Sequence, residues 1–177
     1  MNGQICGPEE LVEDFRVGLT HGRVPVSEMI EWATVPTCGA VVMFTGTVRD
    51  HNGDRVGIVD IDYEAFDRLV EPRLRQIAIS ARERWPSLGR LALLHRVGQV
   101  PLGEASVLVV VSAPHRGEAF SAGRFCIDVI KECVPVWKRE RGADGTSAWV
   151  PTGQLIEDVT TAARRWRPAD EPEAVTR

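Results

Sequence analysis

The chain has 177 residues, of which 44% are hydrophobic, enough to bury one good core with at most a small appended subdomain. Its formal net charge of -4 supplies no overall field for nucleic acid or anionic lipid, so any anion site must be local. No apolar run approaches the roughly 18 residues of a membrane span, and the start of the chain mixes Glu, Asp and Arg instead of forming a signal peptide, which points to a cytoplasmic protein.

Residues 1–12 are polar and bear Gly and Pro, a flexible lead-in; residues 13–166 make the folded domain, and 167–177 read as a disordered acidic tail. Phe15 to Leu19 is strand-like, and Pro25-Val26-Ser27 opens a short helix running to about Ala33. Cys38 to Val48, rich in Val, Phe and Thr, predicts a buried strand that delivers Arg49 and His51 to its end before Asn52-Gly53 turns the chain. Val56 to Tyr63 alternates with one register slip and is the expected hairpin partner of that strand.

From Phe66 onward Leu69, Val70, Leu74, Ile77, Ala78, Ala81 and Trp85 recur at helical spacing, with Pro72 in the first turn or at a kink and Pro86 at the end. Leu88 to Arg96 and Ala105 to Ala113 are two more strands joined by the turn-rich Gly98 to Gly103. The unbroken apolar run Val107 to Val111 requires cover on both faces. His115 to Cys133 returns to helix, with Phe120, Ile127, Ile130 and Val134 inward and Arg124, Asp128 and Lys131 on a polar stripe. Pro135 stops it; Val136 to Arg141 is a strand, and Gly142 to Gly145 a loop before Trp149-Val150. The pattern is α+β: a mixed, mostly antiparallel sheet packed by two long helices, with a small β subdomain. Trp32, Trp85 and Trp149 suit core or helix-end packing and Trp166 a C-terminal anchor, while Trp137 is assigned to the core behind the strand of Lys138. Cys6, Cys38, Cys126 and Cys133 lack paired spacing and are read as free thiols.

The basic residues carry the most unusual fact of the composition. Of 21 Lys plus Arg, only Lys131 and Lys138 are lysines, seven residues apart on a helix end and the strand after it. Lysine differs from arginine in offering a compact amine that can act as nucleophile or base, and two ammoniums brought together disfavour each other's charge. If the two diverge, they are surface cations of small worth. The segment from His115 to Arg141 has a local surplus of two positive charges. His115 and Arg116 stand at a helix N-terminus, where free amides and a guanidinium suit phosphate or carboxylate. In the competing reading Glu118 and solvent satisfy Arg116, and His115 caps the helix.

The runs Gly39-Ala-Val-Val-Met-Phe-Thr-Gly-Thr-Val-Arg-Asp-His-Asn52, His95-Arg-Val-Gly98, Gly103-Glu104, Ser112-Ala-Pro-His-Arg116 and Lys131-Glu-Cys-Val-Pro-Val-Trp-Lys-Arg-Glu140 resemble, in order and spacing, the motifs of the molybdopterin synthase catalytic (large) subunit family. The resemblance covers about residues 35–150. It implies an α/β hammerhead-type fold, no cofactor or metal, and a homodimer. Each end of that dimer would hold a small ubiquitin-like sulfur carrier with a C-terminal Gly-Gly thiocarboxylate, giving a heterotetramer. The implied substrate is cyclic pyranopterin monophosphate, converted to the dithiolene of molybdopterin. Matched residue by residue, the implied substrate contacts are Thr47, Val48, Arg49, His115, Arg116, Lys131, Lys138, Arg139 and Glu140, with Lys131 and Lys138 the catalytic pair. An arginine that relatives place shortly after the Trp-Val pair is absent, since Trp149-Val150 leads to Gly153; Arg164 or Arg165 is the candidate substitute.

Two rival readings stand beside this. A metal site would draw on His95, His115, Cys126 and Cys133, but the two cysteines share one helical face at a spacing that suits small core residues. A non-enzymatic docking module for an acidic or Gly-Gly-tailed protein would use the basic patch alone, while the acidic balance and the lack of aromatic platforms speak against nucleic acid.

Overall fold

The computed structural model describes residues 14–150 and 156–168. The lead-in 1–12, Cys6, Gly153 and the tail from residue 169 lie outside them. In chain order the elements are β1 (Phe15–Thr20), α1 (Val26–Ala33), β2 (Ala40–Thr47), β3 (His51–Asn52), β4 (Arg55–Val56), β5 (Ile58–Ala65), α2 (Asp67–Arg84), β6 (Leu91–Arg96), β7 (Gly98–Pro101), β8 (Ala105–Ala113), α3 (Arg116–Cys133), β9 (Val136–Gly142), β10 (Ser147–Trp149) and α4 (Val159–Arg165). They form two four-stranded sheets, ordered β1-β6-β8-β2 and β10-β9-β5-β7, with β3-β4 a separate ribbon. Only β1 and β6 run parallel among the described pairs. The α+β architecture expected from the sequence is present.

Alternation on β8 decides where the core lies. Val107, Val109 and Val111 face α2 and α3, joining Leu74, Ile77 and Phe125, while Leu108 and Val110 face α1 with Met29 and Ala33. The first sheet is thus covered on both faces, as the apolar run requires. Trp85, Phe125 and Trp166 meet edge-on at 5.4–6.0 Å, which ties α2, α3 and the end of α4 together. Cys126 and Cys133 are free and buried in this core, with burial pushing the Cys126 thiol up to about 12.

Several local expectations are corrected. The strand from Cys38 is not buried, because β2 is an edge strand beside β8 alone, leaving Met43 43% and Phe44 36% exposed. Nor does it pair with β5: β2 joins the first sheet and β5 the second, and only the ribbon β3-β4 closes around Gly53 at φ +59°. Gly98 to Gly103 is not all turn, since β7 pairs with β5. Pro72 falls in the second turn of α2. Phe120 is 65% exposed, because the inward stripe of α3 runs through Ala119, Ala122, Cys126 and Val129, one residue out of phase with it. Trp137 and Trp149 leave the core, the latter lying under the Arg139 guanidinium at 5.3 Å.

Candidate active site

A cavity of about 460 Å³ opens where the end of β2, the last turns of α3 and the strand β9 converge. Each approach is locally determined. At the end of β2 the register with β8 shifts between Gly46 and Thr47, and glycine is required there because a Cβ would stand 2.6 Å from Val107 Cγ1. The shift releases the chain from the first sheet and sends Val48, 2% exposed, into the small second core with Ile58, Ile61 and Val100. Val48 N donates to Glu104 O at 3.0 Å and Gly103 N to Val48 O at 2.8 Å, so its neighbours Thr47 and Arg49 are held at the cavity wall. Arg49 Nε donates to His51 O at 2.9 Å.

On α3 the stripe Ile127, Ile130 and Lys131 faces the cavity, with Lys131 exposed at its edge. The helix C-terminus favours that charge. Arg73 of α2 donates to Cys133 O and, at 3.2 Å, to Glu157 O, which fixes this end of α3.

Strand β9 presents Val136, Lys138 and Glu140 to the cavity. Glu140, 2% exposed, accepts from Asn52 Nδ2 at 2.7 Å and lies 3.6 Å from Lys138 Nζ and 4.0 Å from Arg55 Nη1. This buried carboxylate clamps the β3-β4 ribbon onto β9 and orients the lysine. The opposite face carries Arg139, whose Nη2 donates to Asp62 Oδ2 at 2.6 Å, and Arg141, which grips Asp60 through two bonds of 2.6 and 2.8 Å. The hydrogen bonds from Arg141 hold the Asp60 carboxyl below the usual carboxylate range.

The structure therefore brings Thr47, Arg49, Lys131, Lys138 and Glu140 to one cavity, with Val48 buried behind it and the Arg139 side chain on the far face of its strand. His115 and Arg116 lie at the other end of α3. The His115 side chain makes no cap hydrogen bond, and Glu118 accepts from Ser87 at 3.4 Å. Arg165 is engaged by Glu157 at 2.6 Å and Glu132 at 2.8 Å, while Arg164 is exposed. The rival metal set is dispersed, with His115 before the first residue of α3 and Cys133 its last. No three His, Cys, Asp or Glu side chains gather as a metal site among the described residues.

Sequence reasoning missed the cavity floor. Tyr63, His95 and Ser106 line it, and Asn52, which counts in sequence only as a turn residue, proves to hold Glu140. His95 shares a face with Leu91 and Leu93, and burial lowers its pKa to about 4. Burial likewise raises that of Tyr63. Alternation along β6 was the available signal for His95, since it puts the ring on the core side. Three cations against one buried carboxylate, over partly apolar walls, suit an anionic ligand, and a low local dielectric strengthens that attraction.

Fold and cavity together define a single α+β unit whose cavity is lined by Arg49, Lys131 and Lys138. Residues 19–133 match the family described as MoaE protein. The molybdopterin synthase catalytic subunit of Taeniopygia guttata is 39% identical over 132 residues, 75% of this chain and 84% of that one. Among solved structures, molybdopterin synthase from Staphylococcus aureus superposes with a TM-score of 0.71 at 33% identity, covering 76% of this chain and 96% of that one. A Helicobacter pylori complex of subunits 1 and 2 of molybdopterin-converting factor shares the fold at 19% identity and a TM-score of 0.64, over 79% and 92% of the respective chains. The chain belongs to the MoaE family, that of molybdopterin synthase catalytic subunits. Among the described residues no helix is long and apolar enough to cross a membrane.

Proposed function

We propose that the chain transfers sulfur from the C-terminal thiocarboxylate of a small ubiquitin-like carrier to cyclic pyranopterin monophosphate, building the dithiolene of molybdopterin. The observation that carries this reading is the convergence of Lys131, Lys138 and Arg49, the two lysines being the only ones in the chain, on one cavity over the buried Glu140. The carrier sulfur attacks a side-chain carbon of the pterin, the new carbon–sulfur bond replacing a carbon–oxygen bond whose oxygen leaves as water or stays on the phosphate as its ring opens, while the ammoniums neutralise the thiocarboxylate's charge. Water then cleaves the acyl–sulfur bond, the carrier leaves as a carboxylate, and the lysines relay the protons. Arg49 grips the phosphate, for which a planar guanidinium is suited. The paired subunits of the Helicobacter pylori complex support a small-subunit partner.

His115 and Arg116 enter this reading through a second copy. Arg116 and Lys131 are 15 residues apart on one helix, about 22 Å at 1.5 Å per residue, beyond the reach of any side chain within a protomer. A partner related by a twofold axis near the middle of α3 would lay its His115 and Arg116 beside this protomer's Lys131 and cover the exposed Phe120. A dimer carrying one carrier at each end is the heterotetramer the resemblance implies. The test is reconstitution: purified chain, thiocarboxylated carrier and precursor should yield dithiolene product and carboxylate-ended carrier in a two-to-one sulfur balance. Carrier binding without conversion would leave a docking module and refute the enzyme.

A further inference from the structure

Six polar or charged residues are buried among the described residues, and three of them, His95, Ser106 and Glu140, line the same cavity. Two are satisfied internally. Glu140 holds Asn52, Lys138 and Arg55, and the Ser106 hydroxyl donates to Gly46 O at 3.1 Å. His95 differs. Its Nδ1 lies 2.8 Å from Arg96 O; a carbonyl only accepts, so Nδ1 carries the hydrogen and Nε2 keeps the lone pair. The Tyr63 ring stands edge-on at 5.3 Å and fixes the imidazole's rotation. Nε2 has no protein partner among the described residues, yet it is not one of their fully enclosed unpaired atoms, so a free acceptor on a largely buried side chain is open to whatever occupies the pocket floor.

We propose that His95 is a further substrate-binding residue, its Nε2 accepting a hydrogen bond from a ring N–H or the exocyclic amino group of the pterin. This rests on the sulfur-transfer reading. The cavity is polarised along its depth: His95 and Ser106 are 8% and 5% exposed at the floor, while Arg49 and Lys131 are exposed at the rim. The precursor has the matching polarity, a neutral heterocycle with N–H donors at one end and an anionic phosphate at the other. The carrier terminus does not. A thiocarboxylate presents only acceptor oxygen and sulfur, so seating it on the floor would set lone pair against lone pair. The heterocycle therefore takes the floor, and the carrier tail meets the lysines from the rim.

Turnover of precursor and thiocarboxylated carrier by the parent protein sets the baseline; if it is absent, the sulfur-transfer reading falls and this inference with it. With turnover established, two variants decide. His95→Asn keeps an amide N–H for the Arg96 carbonyl and removes the acceptor at the Nε2 position, whereas His95→Gln restores an oxygen near that position. His95→Asn should raise KM for the precursor about tenfold, the size of one hydrogen bond in a desolvated site, with the loss in KM and not in kcat or in KM for the carrier. His95→Gln should recover most of it. Equal loss in both variants, loss confined to kcat, or no loss overturns the proposal, the last meaning that water alone meets Nε2. Should His95→Asn fail to fold, the parent answers by itself: of two precursor analogues, one deaminated and one N-methylated on the ring, one should bind about tenfold more weakly. Equal binding of both and of the precursor overturns the assignment.

Discussion

Mild acid should destabilise this protein before its carboxylates titrate, through His95. Burial lowers the imidazole pKa from 6.5 to about 4 in the folded protein, whereas in the unfolded chain it returns to about 6.5. Between these values the unfolded state binds a proton that the folded state refuses, so stability rises with pH across the window and is lost as pH falls from about 6.5, the loss levelling off below about 4. A gap of about 2.5 units corresponds to about 3 kcal/mol in all, of which about 2 kcal/mol is gone by pH 5. The other three histidines are exposed. The carboxyls held low by neighbouring donors, those of Asp60 and Glu104 among them, give up their contributions only at more acid pH. The assay is urea unfolding at pH 7, 6 and 5 at constant ionic strength, with His95→Asn as the non-titrating reference. Parent stability should drop by about 2 kcal/mol between pH 7 and 5 while the variant stays nearly level, with m unchanged in both. A variant that loses as much as the parent would show that His95 is protonated in the fold, or that another group drives the slope.

Three further outcomes are expected. Lys131→Ala should nearly abolish dithiolene formation with unfolding behaviour unchanged, and Lys131→Arg should not rescue it, because a guanidinium neither matches the ammonium's shape nor gives up its proton; an active Lys131→Arg enzyme would reduce the residue to a simple charge. Lys131→Ala and Arg116→Ala, each deeply impaired alone, should recover about a quarter of parent activity when randomly mixed as dimers, since half the dimers are then hybrids with one intact site each; no recovery would place Arg116 outside the site. Glu140→Ala should cost about 3 kcal/mol by leaving Lys138 and Arg55 without their buried counter-charge, while Glu140→Gln, which can still accept from Asn52, should fold better yet slow turnover. Chemical denaturation and steady-state rates measured on the same samples separate the two effects, and unchanged rates in Glu140→Gln would remove the carboxylate from orienting the lysine.

How far the sequence reached follows from which physical rules act locally. Helix faces are set by residues three and four apart, so α2, α3 and the two-sided cover of β8 were legible, and a chain that uses lysine only twice marks its two amines by scarcity. Sheet partnership is different in kind. Alternation tells a strand which face is buried but not which strand lies beside it, so Cys38–Val48 and Val56–Tyr63 looked like a hairpin when they belong to two different sheets, the edge of one and the interior of the other, joined by a four-residue ribbon. The same limit hid the site's internal support. Lys138 and Glu140 share a strand face at a spacing of two, which the sequence shows, but that the carboxylate is buried and bound to Asn52, 88 residues away, depends on β5 lying between β9 and β7. Phe120 failed for the opposite reason: its hydrophobicity was read as burial, although helical phase puts it outside the stripe of Ala119, Ala122 and Cys126. An exposed aromatic that violates its own helix's phase is then informative, for its place on α3 between Arg116 and Lys131 is where a second copy must lie if both ends of the helix serve one pocket.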